Sequence, residues 1–315
     1  LQLSHLTDFY YGDAQKLCDR VGNVLEKWSS DDSGFSLVLG MYAFGLEEQG
    51  QYRRSEKIAQ EALELNPFDC WARHALVHVM EMESRYQEGI SLLEESKPYW
   101  SYSENVFAGH IWWHMALFYI DVGKLDSAIA IYDNEIMPRL SLFQTKLVDG
   151  ASLLWRLSLS GVNMLDRWKG IVKWYDKGNE HGFYAFNDMH AMLAYVGAGE
   201  HTRADVLMGE VTKAVKANNA NAKMEKLVGF PVIAGIKAFG NSDYPNCIKE
   251  LNAIRHCSHL FGGSHAQRDL LWRTLVQAAL LSGKESLLRQ LLNERLELKP
   301  NCMYYINLLR QVSIT

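Results

Sequence analysis

One pattern of glycine, small residues and proline occurs at both ends of the chain and limits what it can fold into. Gly50-Gln51-Tyr52 is followed by small residues at Ser55, Ala59 and Ala62 and closed by Pro67. Gly283 is likewise followed seventeen residues later by Pro300, and Glu297-Leu298-Lys299-Pro300 echoes Glu64-Leu65-Asn66-Pro67. Between them Gly123, Leu125, Ala128 and Tyr132 hold the same relative places. Glycine ends one helix in the left-handed conformation, and small residues on the next helix admit a close neighbour, so each unit reads as a helical hairpin. The same punctuation appears at Glu48-Gln49-Gly50-Gln51, Val122-Gly123-Lys124, Gly199-Glu200-His201 and Ser282-Gly283-Lys284. The segments between the six prolines show i, i+3, i+4, i+7 apolar spacing and no alternation of period two. The predicted fold is all-α: residues 1–315 form one solenoid of about eight helical hairpins, some of them degenerate.

Composition narrows the function classes. With 315 residues, 48% of them hydrophobic, the chain can bury a substantial core. Lys and Arg total 32 against 37 Asp and Glu, a net charge of −5, and no basic run tracks a phosphate backbone, so nucleic acid is excluded as a partner. No stretch approaches the ~18 apolar residues that a membrane span needs, so no membrane partner is expected. The five cysteines are odd in number, far apart and without a Cys-x-x-Cys pair, which argues against a disulfide framework or a thiolate zinc site and for reduced thiols. A cytoplasmic location is inferred from this, since the chain starts at Leu1 and an N-terminal signal is not observable. Homo-oligomerisation stays open.

The hairpin grammar resembles the tetratricopeptide repeat, a unit of about 34 residues whose copies stack into a right-handed superhelix. Trp112, Ala116 and Tyr119 fall where that repeat places an aromatic, a small residue and an aromatic. In such a superhelix one stripe of each first helix lines a concave groove. That stripe carries His74, His78 and Glu81 in one helix and His110 and His114 in the next, two histidine pairs of i, i+4 spacing 36 residues apart. Imidazoles so spaced make a bidentate metal site, with Glu81 as ligand or base; a hydrogen-bonded or pH-titrating polar stripe is the alternative. No cofactor is assigned, and a divalent metal on His74, His78, His110 and His114 stays open. Asp149, Ser152 and Arg156 share a face further on, with Trp113 and Trp155 as walls. Asn187 and Asp188 read as helix capping residues or groove ligands. Gly262-Gly263-Ser264-His265-Ala266-Gln267 reads as a capping box ahead of Arg268 and Asp269, with anion binding as the alternative.

Taken together, His74 to Met82, Gly109 to Leu117, Ile131 to Asp133, Asp149 to Leu157, Phe186 to His190 and Gly262 to Asp269 resemble the tetratricopeptide repeat protein 38 family over essentially the whole chain. The resemblance implies that His74, His78, Glu81, His110, His114, Asp149, Asn187, Asp188, His190, Gln267, Arg268 and Asp269 belong to family motifs. It also implies an N-terminal helical section that this chain lacks, leaving the groove open at one end. The functional expectation is a binding protein whose groove of His, Asp, Glu and Trp takes a small molecule or peptide. The alternative is an enzyme with His78 or His114 as base or ligand, Glu81 or Asp188 as partner carboxylate and Arg268 as anion clamp. No Gly-x-Ser-x-Gly elbow or nucleotide-binding loop supports another chemistry.

Overall fold

The computed structural model describes residues 1–142, 144–178 and 180–314, and the regular structure in them is entirely helical. Helices follow in pairs joined by short turns: α1 (Gln2–Tyr10) with α2 (Ala14–Gly22), α3 (Phe35–Glu48) with α4 (Tyr52–Leu65), and α5 (Cys70–Met82) with α6 (Tyr86–Glu95). Next come α7 (Ala108–Asp121) with α8 (Leu125–Ile131), α9 (Gln144–Leu159) with α10 (Leu165–Gly178), and α11 (Ala185–Ala198) with α12 (His201–Ala214). The short α13 (Ala220–Met224) runs through a π turn at Glu225–Gly229 into α14 (Phe230–Gly240), which pairs with α15 (Tyr244–Ile254). The last pair is α16 (His265–Leu281) with α17 (Glu285–Leu298), and α18 (Met303–Ile314) packs on α17.

The turns explain the pairing. Gly50 and Gly283 hold φ of +72° and +66°, the conformation their place after a helix end requires. Ser84 and Ser242, both at φ +59°, do the same work after α5 and α14 without a glycine, so a left-handed residue recurs about every 40 positions. The two helices of a pair differ in kind. α5, α7 and α16 are buried on nearly every side, whereas α4 buries only Ser55, Ala59 and Ala62. That matches their sequences, since an all-round apolar helix belongs in the interior and an amphipathic one at the surface. Ser55 also donates its hydroxyl to the Ala43 carbonyl, 2.7 Å away on α3. First helices pack on first helices: α3 on α5, α7 on α9, α9 on α11 and α11 on α14.

The C-terminal pair turns back onto the inner helices. α16 packs directly on α5 and α9. The His265 N–H donates to Glu48 Oε1 (2.9 Å), Arg273 reaches Asp121 (2.7 Å), and Lys299 reaches Glu81 (2.8 Å). The C-terminal pair is thereby joined to the second, third and fourth pairs of the chain. Among the described residues no helix is long and apolar enough to cross a membrane.

The α1–α2 turn closes against this C-terminal region at Gly12, whose φ is +65° and whose missing Cβ would lie 1.8 Å from the His259 carbonyl oxygen. Gly12→Ala is expected to cost about 1–3 kcal/mol in urea unfolding, because a backbone carbonyl cannot rotate aside as a side chain can. Gly50→Ala, with nothing within 4 Å of the added methyl, should cost only the left-handed penalty of about 1 kcal/mol. Equal losses at the two positions would show that the turn around His259 gives way.

Candidate functional site

α5 and α7 lie beside each other and present one histidine per turn toward a common point, as i, i+4 spacing on two neighbouring helices requires. His78 Nε2 is 2.9 Å from His74 Nε2, which is 3.1 Å from His110 Nε2. His114 completes the group, with its ring centroid 4.5 Å from that of His78, 5.1 Å from that of His74 and 4.9 Å from that of His110. One ring nitrogen from each of the four histidines falls within 4.8 Å of all the others. The outward nitrogens face acids. His110 Nδ1 is 2.9 and 3.0 Å from the two Asp149 oxygens on α9, and His78 Nδ1 is 3.5 Å from Glu47 Oε2 on α3. Trp113 stacks on His110 at 5.2 Å and 9° and donates its indole N–H to Ser152 Oγ (2.7 Å), which fixes both rings.

Burial sets the charge state. It drives the pKa values of His74, His78 and His114 well below the usual imidazole range, and their mutual repulsion adds to the effect. All three are neutral at pH 7, each with one lone pair and one N–H. Burial likewise raises Glu47 well above the carboxylate range, with the charge of the adjacent Glu48 adding to it.

The cluster forms the floor of a cavity of about 480 Å³. His74, His110 and Asp149 reach into it, while Phe9, Phe44, Trp71 and Phe107 make its apolar walls and Lys146 and Gln267 stand at one edge. His5 also lines it, with its pKa lowered to about 4 by burial. A second cavity of about 430 Å³ shares Phe9, Tyr10, Thr145 and Gln267 with the first and extends to Asn187, Asn221 and Met224.

The structure brings together His74, His78, His110, His114, Asp149 and Trp113, places Gln267 on the same cavity, and sets most of the other residues singled out from the sequence elsewhere. Glu81 is tied to Lys299, so the carboxylates against the imidazoles are Asp149 and Glu47. Trp155 is not a wall of the cavity; its indole N–H donates to Thr274 Oγ1 (2.8 Å) on α16. Arg156 is spent on the carbonyls of Ser152 (3.2 Å) and Ala266 (2.6 Å). Arg268 is not free to clamp an anion, for it donates to the Gly262 and Gly263 carbonyls and lies 3.3 Å from Glu48. Ser264 and Gln267 form the capping box read from the sequence. Asp188 does not cap α11, which starts after Tyr184; its Oδ2 accepts the Gly182 N–H (3.0 Å), and Glu225 lies against it. His190 Nδ1 bonds to the Phe186 carbonyl (2.8 Å), and burial takes its pKa down to about 3. Asp269 holds two arginines, described below.

Glu47, Phe44, Trp71 and Phe107 were not singled out from the sequence. The aromatics carry no signal that distinguishes a cavity wall from core. Glu47-Glu48 did carry one, since two acids at the C-terminal end of an apolar helix oppose its dipole. No family model matches the chain.

Proposed function

We propose that the chain is a tetratricopeptide-like solenoid, related to the tetratricopeptide repeat protein 38 family, that holds an apolar small molecule in the cavity above the histidine cluster. The observation that carries this reading is the cavity itself: about 480 Å³, with four aromatic walls, a polar floor of His74, His110 and Asp149, and a cationic edge at Lys146. Its size and chemistry fit a molecule with an apolar body and one hydrogen-bonding or anionic end. A peptide is disfavoured because the polar ends of α5 and α7, Glu81 and Asp121, are already paired with Lys299 and Arg273. Acid-base catalysis is the second reading, favoured by the His110–Asp149 pair at the cavity wall. It is the weaker one, because the nitrogen of His110 opposite Asp149 points to His74 and not to the cavity.

The probe for the cavity is 8-anilinonaphthalene-1-sulfonate, an apolar body with an anionic end. One equivalent is expected to bind with enhanced dye fluorescence and quenching of Trp71. Val106 lines the cavity and is 83% exposed, so Val106→Trp plugs it without disturbing the core. The variant should bind the dye at least about tenfold more weakly with an unchanged melting temperature, because it removes space and not stability. Equal binding by the two proteins would overturn the assignment.

A further inference from the structure

The histidine cluster asks for more than hydrogen bonds. Asp149 accepts from His110 Nδ1 with both oxygens at about 3 Å, and in the neutral imidazole that leaves His110 Nε2 as a bare lone pair. It faces His74 Nε2, which also faces His78 Nε2. One nitrogen cannot give both contacts a full hydrogen bond: if His74 Nε2 is bare it meets the lone pair of His110, and if it carries a proton the two neighbours must share it. His114 is fully buried and neither of its nitrogens has a hydrogen-bond partner. Buried polar atoms left this way are rare and need an explanation.

We propose that His74, His78, His110 and His114 together bind one divalent late transition-metal ion, of which Zn²⁺ is the best fit, at the inner end of the cavity. An ion bound through nitrogen accepts every converging lone pair at once and leaves the Nδ1 proton of His110 for Asp149, while His78 Nδ1 lies 3.5 Å from Glu47 Oε2. A carboxylate behind a ligating imidazole is the usual second layer of such a centre, and Asp149 holds that place behind His110. The spacing is close to what is needed. Bonds of about 2.0–2.1 Å in a tetrahedron put nitrogens about 3.3 Å apart; two pairs stand at 2.9 and 3.1 Å and the whole set within 4.8 Å, so ring rotations must draw the widest pairs together. A set of imidazoles without hard oxygen ligands excludes Ca²⁺ and Mg²⁺ and suits Zn²⁺, Co²⁺, Ni²⁺ or Cu²⁺. The two arginines that act on the cluster are both committed elsewhere: Arg156 lies over the Trp113 ring at 5.5 Å and donates to the Ser152 and Ala266 carbonyls, and Arg268 donates to the Gly262 and Gly263 carbonyls. His74 and His110 line the cavity, which supplies the entry path.

The test uses the tag-free full chain and the metal alone, so its outcome does not depend on whether the cavity takes an organic molecule. Protein stripped with dipicolinate is titrated with ZnCl2 by calorimetry and with CoCl2 by visible absorption. The expected result is one equivalent of Zn²⁺ bound with a Kd of about 1 µM or tighter, a Co²⁺ spectrum of a four-coordinate nitrogen site, and a higher melting temperature with metal. His110→Ala, at the partly exposed edge, should weaken binding more than about 100-fold, and Asp149→Asn, which keeps every ligand, about 10–100-fold. Circular dichroism establishes that each variant is folded. A folded wild-type chain that takes up no Zn²⁺, or variants that bind it as the wild type does, would overturn the proposal.

Discussion

Asp269→Ala should cost about 3–5 kcal/mol of unfolding free energy, the largest loss expected from a single polar substitution in this chain. Asp269 Oδ2 accepts from Arg273 Nε (2.6 Å), and Oδ1 accepts from Arg295 Nη2 (2.6 Å) and the Tyr305 hydroxyl (2.9 Å). Arg273 spends its other arm on Asp121 at 2.7 Å. Burial alone would raise the pKa of Asp269, but Arg273 and Arg295 hold it far below the carboxylate range. Removing the carboxylate leaves two arginines in the interior with one remaining acid between them, and a buried charge without a partner is what makes such losses large. Asp269→Asn should lose nearly as much, because it keeps the shape and removes the charge. At about 2 °C per kcal/mol for a chain of this size, the melting temperature should fall by roughly 6–10 °C. Since a depressed acid stabilises above its unfolded pKa, the wild type should lose this contribution only as pH falls below about 4. The exposed pair Arg203–Asp176 is the control, and Asp176→Ala should leave the urea midpoint where it was. A similar small change at Asp269 would mean that the arginines find other partners or water.

Glu225→Gln should do the opposite and stabilise the protein increasingly as pH rises. Glu225 opens the π turn Glu225–Gly229 and is fully buried against Asp188. Gly229 makes the room, since a Cβ there would lie 2.1 Å from Glu225 Oε2. Burial, followed by the charge of Asp188 and the hydrogen bond to it, pushes the Glu225 pKa up from 4.5 to about 9. With a folded pKa above the unfolded one, stability from this group is complete below pH 4.5 and is lost progressively as pH rises toward 9. At pH 7 the loss amounts to about 3 kcal/mol, one pKa unit being worth 1.36 kcal/mol. Glutamine can donate to Asp188 as the protonated acid does and has no proton to lose. Urea midpoints for the two proteins should therefore coincide near pH 4.5 and separate by about 3 kcal/mol at pH 7. A difference that does not vary with pH would place Glu225 in its ionised form throughout.

The helical elements were legible because they depend on neighbours in sequence. Apolar spacing, small residues at Ser55, Ala59 and Ala62, and glycines at the ends of first helices all act over a few residues. The turns at Ser84 and Ser242 escaped because a left-handed serine leaves no compositional mark. The histidine pairs were legible for the same local reason: i, i+4 spacing puts His74 with His78 and His110 with His114 whatever surrounds them. The identity of their acids was not. Periodicity says which face of α5 is buried but not what it is buried against, so Glu81 looked like the partner of the histidines when it belongs to Lys299. Lys299 entered the reading only through the echo of Glu64–Pro67 before Pro300, and nothing there shows that it is 1% exposed. Arg268 and Trp155 were misread in the same way, each looking ligand-facing until α16 is set against α3 and α9. Asp188 looked like a cap because it sits near a helix start, yet it serves the loop before the helix at Gly182.

The contact of the C-terminal pair with the second and third pairs bears on how the molecule comes apart and how it assembles. In a linear stack each hairpin touches only its neighbours, so the ends fray first and the middle outlasts them. Here His265 holds Glu48 across 217 residues of sequence and Lys299 holds Glu81 across 218. The C-terminal pair cannot peel away without breaking bonds to the second and third pairs, so hydrogen exchange in α3, α5 and α16 should report the same opening. Assembly carries the matching penalty. Loop closure over so long a span is costly, so these contacts are expected to form late and slowly in assembly.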